Sequence, residues 1–462
     1  MISISMENMT FVIGLISLII GIISLIIGLY TLSDYRKRKS FEKWKTRANN
    51  YYKIIDSNEY INWRDSQLRK LYGEKAFTCI FGKQFPVLNL NIDGNVCLKD
   101  LCKEEYIEKN ECVIVEGEDG KEVKMVDVDK LNIINSGPYN KYKRRLYKKY
   151  RYLIEGNSKR LNEGSIKHPN LLGFSIEKYS LNRNKEVIGI HSKLSTYRYT
   201  VYTSHIMEYE LYEVYNKYGS EKDLSIEQLW KLLPYRRYVH FENIESIPKT
   251  ETSLEVVISG TRRYSLLSVQ SIIVYKEGDT YKTFLIKRSE DPSKISAKLG
   301  YYQFPPAGGF ELFENEQIRS LETIKEHYSL ESALYREYLE EIFNIKDFQE
   351  APSDNSDPIK RIFYHQEVKE IQKMMNKGTA RLELLGITID VVTMRHTVSF
   401  ALIIDDESYS QKNFCLNEEF EKKNRIKINL SEVDSKLKTH KVTQDSALLF
   451  KLFKDRFSSY IF

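Results

Sequence analysis

The chain of 462 residues is poor in cysteine and proline and carries a single long apolar run. Its five cysteines, Cys79, Cys97, Cys102, Cys112 and Cys415, include no CxxC pair and no neighbouring histidine cluster. This argues against a disulfide framework or a structural zinc site and fits reduced thiols in a reducing compartment. No long low-complexity linker and no repeat of 20–50 residues is present, which excludes a solenoid or an array. What is there is an ordinary apolar fraction of 42%, a charged fraction of 29%, a net charge of +6 and 33 tyrosines. Such a chain has enough apolar surface for real cores, and its length fits two or three domains.

The apolar run is "FVIGLISLIIGIISLIIGLYTL", residues 11–32, without charge or proline. As a helix it spans roughly 33 Å, the thickness of a bilayer's hydrocarbon core. A cleaved signal peptide needs a basic leader, a shorter core and a small-residue cleavage site, none of which is evident. The basic run Arg36–Lys39 follows the segment and Glu7 precedes it. The positive-inside rule then places the N-terminus outside and the rest in the cytoplasm, as a single-pass protein of the inner membrane. Gly14, Ser17, Gly21, Ser24 and Gly28 recur every three or four residues on one seam. A small-residue seam lets helix backbones approach in lipid, so the expected state is a homo-oligomer.

Beyond the span, residues 34–60 read as a charged, Tyr-rich helical stem and residues 61–254 as a middle domain whose fold the pattern does not define. Within it, 112–128 reads as a hairpin around Glu118-Asp119-Gly120. Residues 141–151 hold seven basic residues and no acid, either a docking surface for phosphates or anionic lipid or a solvated helix face. Residues 194–215 begin strand-like and end helical, and 224–233 read as a short helix capped by Ser225.

The pattern sharpens over 255–462. Residues 268–290 read as strand, Gly-Asp turn and strand, and 301–314 as a strand entering a Pro- and Gly-rich loop. Residues 329–345 are a helix with Ser329 as N-cap. Residues 381–405 give two more strands, and a final amphipathic helix closes the chain. The helix carries "REYLEEIF", where Glu337 and Glu341 share a face and Glu340 lies beside them. Like charges at this spacing repel unless something compensates, and Arg336 can pair with Glu340.

This order resembles the Nudix hydrolase superfamily. Its signature is Gly, five residues, Glu, seven residues, then Arg-Glu-U-x-Glu-Glu-x-Gly-U, with U aliphatic. Gly308 and Glu314 match the first part, and Arg336, Glu337, Glu340 and Glu341 the second. The resemblance implies an α+β fold overall: one transmembrane helix, a mixed middle domain and a C-terminal Nudix-like α/β/α sandwich. It implies Glu337, Glu340 and Glu341 as ligands of Mg or Mn, with Glu340, Glu341 and Arg336 as the catalytic set. Gly308 and Gly309 would let backbone approach the helix and a phosphate. The chain departs from the signature in three places. Twenty-one residues separate Glu314 from Arg336, so that a different placement of the extra stretch puts Tyr328 at the first glutamate position. Phe343 stands at the glycine, and Asn344 replaces the aliphatic residue. Hydrolysis and ligand binding without hydrolysis both remain open readings.

An anchored Nudix-like domain with a self-association seam resembles the membrane-anchored Nudix effectors of bacterial CBASS antiphage systems. That resemblance implies a cyclic nucleotide as partner, with ligand-driven assembly of membrane helices and cell death. No stable nucleic-acid partner is expected. Arg262, Arg263, Lys287 and Arg288, on or beside the first strands of the domain, are the candidate phosphate donors. The alternatives are a membrane-tethered hydrolase of nucleoside diphosphate derivatives and an anchor that recruits a partner.

Overall fold

The computed structural model describes residues 50–108, 113–116, 122–125, 172–220, 223–241, 247–288, 300–312, 321–345, 358–412 and 425–460, with scattered positions before residue 50 and at 145, 298 and 414. Among the described residues no helix is long and apolar enough to cross a membrane. Within the expected span of 11–32, positions 11–17, 20 and 26 lie outside the described residues. The described positions between 18 and 32 are helical, and their large apolar side chains are exposed, from 46% at Leu32 to 77% at Tyr30. Of the basic run 141–151 only Arg145 is described.

The folded part begins with helical residues 50–55 and helix α1 (Asn58–Tyr72), followed by strand β1 (Val87–Leu90). The expected hairpin at 112–128 forms from Val113–Glu116 and Glu122–Met125, antiparallel, with Val113 opposite Met125. Strands β2 (Leu172–Leu181) and β3 (Val187–Thr196) make a second hairpin. The chain then turns through a π-helical segment, Val201–His205, into α2 (Ile206–Tyr218). Helix α3 (Ile226–Leu232) starts at Ser225 with a full capping box to Gln228, and Pro234 opens α4 (Pro234–His240). Proline suits that place because its missing N–H would be unpaired there anyway.

Strands β4 (Ser268–Glu277) and β5 (Thr280–Lys287) meet at Gly278, whose φ of 61° suits a tight turn. They are followed by β6 (Tyr302–Gln303), β7 (Ala307–Gly309), α5 (Leu330–Phe343), α6 (Gln366–Asn376), β8 (Ala380–Asp390), β9 (Arg395–Ile404), β10 (Arg425–Asn429) and α7 (Gln444–Arg456). The main sheet runs β6-β5-β4-β9-β8-β1, with β7 on β4 and β10 on β5. β4 and β9 pair in parallel from Ser268–Thr397 to Tyr275–Ile404.

This sheet is covered on both faces, which is why β4 is buried from Ser268 to Tyr275 and reads as an unbroken apolar stretch over residues 272–275. Ile272, Val274, Ala401 and Ile403 pack on α7 through Leu448, Leu449 and Phe450. Ile273, Tyr275, Leu402 and Ile404 pack on α5 through Tyr335, Tyr338, Leu339 and Ile342. The fold is therefore mixed α+β with a helix–sheet–helix sandwich in the C-terminal half. The middle segment is joined to it: β1 pairs with β8, and one hydrophobic cluster runs from Tyr51 through Trp230 to Phe400.

A buried guanidinium makes that junction. Arg236 on α4 is fully buried and donates to Val391 O at 3.3 Å and Val392 O at 2.5 Å, in the turn between β8 and β9. Ser204 donates to Thr393 O at 2.7 Å and Ser265 to Met394 O at 3.0 Å, so the middle segment grips the whole turn. Removing the guanidinium strips two buried carbonyls of their donor and leaves a void. Arg236→Ala is expected to cost about 3 kcal/mol or more, and Arg236→Lys to recover only part of it, since an ammonium cannot reproduce the planar fork. Chemical denaturation of the detergent-solubilised chain measures both.

Candidate functional site

The glutamate helix forms as expected. Ser329 caps α5 by accepting from Ser332 N, and Asn344 ends it in the left-handed region at φ 57°. The signature glycine is expected at 343, but here the helix runs one residue further and the left-handed turn falls on Asn344. Asparagine tolerates that conformation, so Phe343 remains helical and packs edge-on against Tyr338 at 5.2 Å.

The compensation for the clustered acids comes from the protein. Arg336 donates through Nη2 to Glu337 Oε1 at 2.7 Å and to Gly309 O at 2.5 Å, and through Nη1 to Glu311 O at 2.5 Å. Its Nε lies 3.8 Å from Glu340 Oε1. Burial opposes the Arg336 charge, but Glu337, Glu340 and Glu311 together keep its pKa above the ordinary value. Glu341 Oε2 accepts the Ala307 N–H at 2.8 Å. Glu337 covers Gly308 so closely that a Cβ there would stand 1.9 Å from its carboxyl carbon. The helix thus braces the glycine loop with two carboxylates and one guanidinium.

Among the described residues no three Asp, Glu, His or Cys side chains converge to hold a cation, and Glu337 and Glu341 are held by Arg336 and Ala307 N. Glu337, Glu340 and Glu341 are oxygen donors of the kind that suit Mg or Mn, and in this arrangement Glu337 and Glu341 also serve the glycine loop. Glu314, the first acid of the signature, lies outside the described residues. Glu311, which the spacing did not single out, stands next to this cluster. Burial pushes its carboxyl up to about 7, with Glu337 adding to the shift and Arg336 and Arg395 opposing it.

The candidate phosphate donors separate. Arg263 is fully buried and serves backbone carbonyls: Nη1 reaches Val256 O at 2.8 Å, and Nη2 reaches Val257 O at 2.9 Å and Ser259 O. Burial lowers its pKa to about 10. Arg262 donates to Val239 O at 3.2 Å. Lys287 and Arg288 lie at the end of β5, where Arg288 Nη1 is 3.5 Å from Gln303 Oε1.

Another set of charges gathers on the edge of the glycine loop. Gly309 sits opposite Ser268, Ser268 pairs with Thr397, and Arg395 pairs with Asp390. Strand alternation therefore puts Ser268, Gln270, Arg395, Thr397, Ser399, Thr388 and Asp390 on one face, a polar end to a sheet that is apolar further along. Arg395 Nη2 donates to Ser268 Oγ at 2.8 Å and Gln270 Nε2 to Ser399 Oγ at 2.9 Å. Above this strip lie His205 and Glu208 from the π-turn and α2, Arg64 from α1, and Lys298. Burial, then Arg395 and Lys298, lower His205 to about 3, so its ring is neutral. Burial raises Asp445, with Lys298, Arg395 and Arg288 drawing it back. His205, Glu208, Glu311 and Asp445 all keep partial solvent access while burial dominates their pKa, the behaviour of a deep, wet cleft. Arg395 escaped the sequence reading because strand pairing, not local motif, brings it to Ser268, the partner of Gly309.

No protein-family profile and no curated protein matches the chain. Solved structures do. They include the Nudix domain of Shewanella oneidensis NrtR complexed with ADP ribose, at 16% identity over 42% of this chain and 89% of that one, with a TM-score of 0.25. A mutT/nudix family protein from Listeria innocua matches at 15% identity over 42% and 94%, TM-score 0.25. The Ap4A hydrolase of C. elegans matches at 14% identity over 42% and 98%, TM-score 0.21.

The brace makes a testable pair. Gly308→Ala is expected to destabilise the fold by about 2 kcal/mol, because the new methyl displaces Glu337 or the loop. Combined with Glu337→Ala, which removes the obstructing carboxylate, the cost should be at least 0.5 kcal/mol less than the sum of the two single changes. Equilibrium denaturation of the four proteins gives the coupling.

Proposed function

We propose that the chain is a membrane-anchored effector of the CBASS type, whose Nudix-like half binds a cyclic nucleotide and thereby drives assembly of the N-terminal helices. The observation that carries the binding half is that Arg395, Lys298 and Arg288 all act on Asp445, while Arg395 donates to Ser268, the strand partner of Gly309. A cyclic nucleotide has one negative charge per phosphate, and Arg and Lys donors in a partly dehydrated cleft suit it. Binding without hydrolysis is favoured because Glu337 and Glu341 already serve as loop braces.

The membrane half of the proposal rests on the uncharged run of residues 11–32 and on the exposed apolar side chains between Leu18 and Leu32. Lipid is the solvent such side chains suit, and the basic run after them sets the folded half in the cytoplasm. The connection runs through the stem. Tyr51 is buried with its ring 5.2 Å from Tyr209 and 4.8 Å from Tyr212, both on α2, which also carries Glu208 at the cleft. A ligand that moves α2 acts on the stem directly.

Two measurements test this. Cyclic di- and trinucleotides should bind the detergent-solubilised chain and raise its oligomeric state, and Arg395→Gln should weaken binding at least tenfold with the melting temperature preserved. Glu340→Gln should retain assembly. Diphosphate hydrolysis by the parent that disappears in Glu340→Gln would replace the binding reading with an enzymatic one. Gly21→Leu should keep membrane fractionation and lose toxicity, because bulk on the seam separates the helices. Unchanged killing by that variant would make the seam irrelevant.

A further inference from the structure

The cleft has a carboxylate that the protein itself leaves without a hydrogen-bond donor. Among the described residues Glu208 accepts no hydrogen bond, and its nearest cation is Arg64, with Nη1 at 3.9 Å. Its neighbours are differently placed. Asp65 takes the Arg64 guanidinium at 2.7 Å. Asp390 spends its two oxygens on Val392 N at 2.9 Å and Thr393 Oγ1 at 2.8 Å. Glu208 is only partly buried, its side chain 19% exposed, so it faces open space rather than packed core. A carboxylate in such a place loses hydration and wants donors in return.

The π-turn fixes where it points. Ser204, four residues earlier, donates to Thr393 O, and Thr393 belongs to the turn that leads into Arg395. Glu208 is linked to Arg395 through Asp390, which is Arg395's cross-strand partner and lies close enough to Glu208 to raise its pKa. His205 adds a neutral flat ring one turn away, with Tyr197, 43% exposed, edge-on to it at 5.8 Å. Insertions of the π type often occur at functional sites. Flat rings beside a polar acceptor suit an aromatic base.

We propose that Glu208 reads the Watson–Crick edge of a guanine, with the ligand's phosphate held at Arg395. An ionised carboxylate offers acceptors only, side by side. Among the common bases, guanine presents two adjacent donors, N1–H and the N2 amino group, whereas adenine and cytosine each set an amino donor beside a ring acceptor. Arg64, with Nη1 at 3.9 Å, favours the ionised form of the carboxylate. Burial pushes Glu208 up to about 7, with Asp390 and Asp56 raising it and Arg64 and Lys298 drawing it down. The nearby phenols of Tyr51, Tyr60 and Tyr301 have raised pKa values and stay neutral. Guanine's two N–H groups would replace the missing donors and favour the ionised form.

This inference rests on the nucleotide-binding reading above, and the experiment separates the two. The detergent-solubilised full chain is titrated by calorimetry at a pH of about 8 with cyclic di-GMP and with cyclic di-AMP, and melting temperatures check the fold of each variant. The parent should prefer the guanine ligand by about 10- to 100-fold, the range of one good bidentate contact. Glu208→Gln, which sets an amide N–H against guanine N1–H, and Glu208→Ala should erase that preference while leaving the adenine ligand's affinity within about threefold. Arg395→Gln should weaken both ligands alike and keep the preference. A preference retained in Glu208→Gln, or a parent that favours the adenine ligand, overturns the assignment of Glu208 and leaves nucleotide binding standing. If neither dinucleotide binds the folded parent, the assignment of Glu208 falls, and the titration with cyclic trinucleotides decides whether nucleotide binding falls with it.

Discussion

A buried guanidinium must find acceptors for a rigid fork of donors, and this protein meets that demand with backbone carbonyls. Arg336 reaches the carbonyls of Gly309 and Glu311, Arg236 those of Val391 and Val392, and Arg263 those of Val256, Val257 and Ser259. Arg336 and Arg236 tie helices to segments far away in sequence, whereas Arg263 secures the turn just before it. The two clamps at Arg336 and Arg236 bound the cleft: one fixes the glycine loop, the other the turn between Asp390 and Arg395. Such clamps specify position more than they add net stability, because the cost of dehydrating the charge offsets much of what the bonds return.

The same economy explains the glutamates. Three acids on neighbouring helical positions read as a cation site, and the repulsion argument demands a counter-charge. It did not say where the counter-charge comes from. Arg336, next to Glu337 in sequence and one turn before Glu340, supplies it, and the N–H of Ala307 takes up Glu341. Gly308 is then required by contact: its missing side chain is the space that the Glu337 carboxylate occupies.

Local signals were legible and distant ones were not. Ser225 and Ser329 caps, the turn at Gly278 and the alternation of β4, β5, β8 and β9 are written within a few residues, so the sandwich and its central helix could be read from the chain. The cleft could not. Arg395 reaches Ser268 only because β9 pairs in parallel with β4, and Glu208 overlooks it only because Ser204 is fastened to Thr393. Arg263 shows the converse error. A basic residue beside the first strand looked like a phosphate donor, but the fold needed its guanidinium inside, near His396 at 3.4 Å and the carbonyls of the preceding turn. Local spacing cannot tell a clamp from a ligand donor, since both demand the same planar fork.

The junction between the halves gives the cleft its regulatory possibilities in physical terms. The helix that bears Glu208 also receives Tyr51 from the stem, and Lys441, beside the β6 edge, donates to Asp56 O at 3.0 Å just before α1. The stem therefore has no independent seat; it rests on the walls of the cleft. Tyr60, Tyr212 and Tyr215 extend that seat as edge-on aromatic pairs, which resist small rotations because close-packed rings have few alternative arrangements. A ligand that binds Arg395 and Glu208 together bridges the sheet to α2 and favours one setting of that aromatic seat over others. Only the difference in affinity between settings can do work on the stem. Because Tyr51 of the stem packs on α2 and Glu208 belongs to it, a proposed ligand at Glu208 would act on the stem through that one helix.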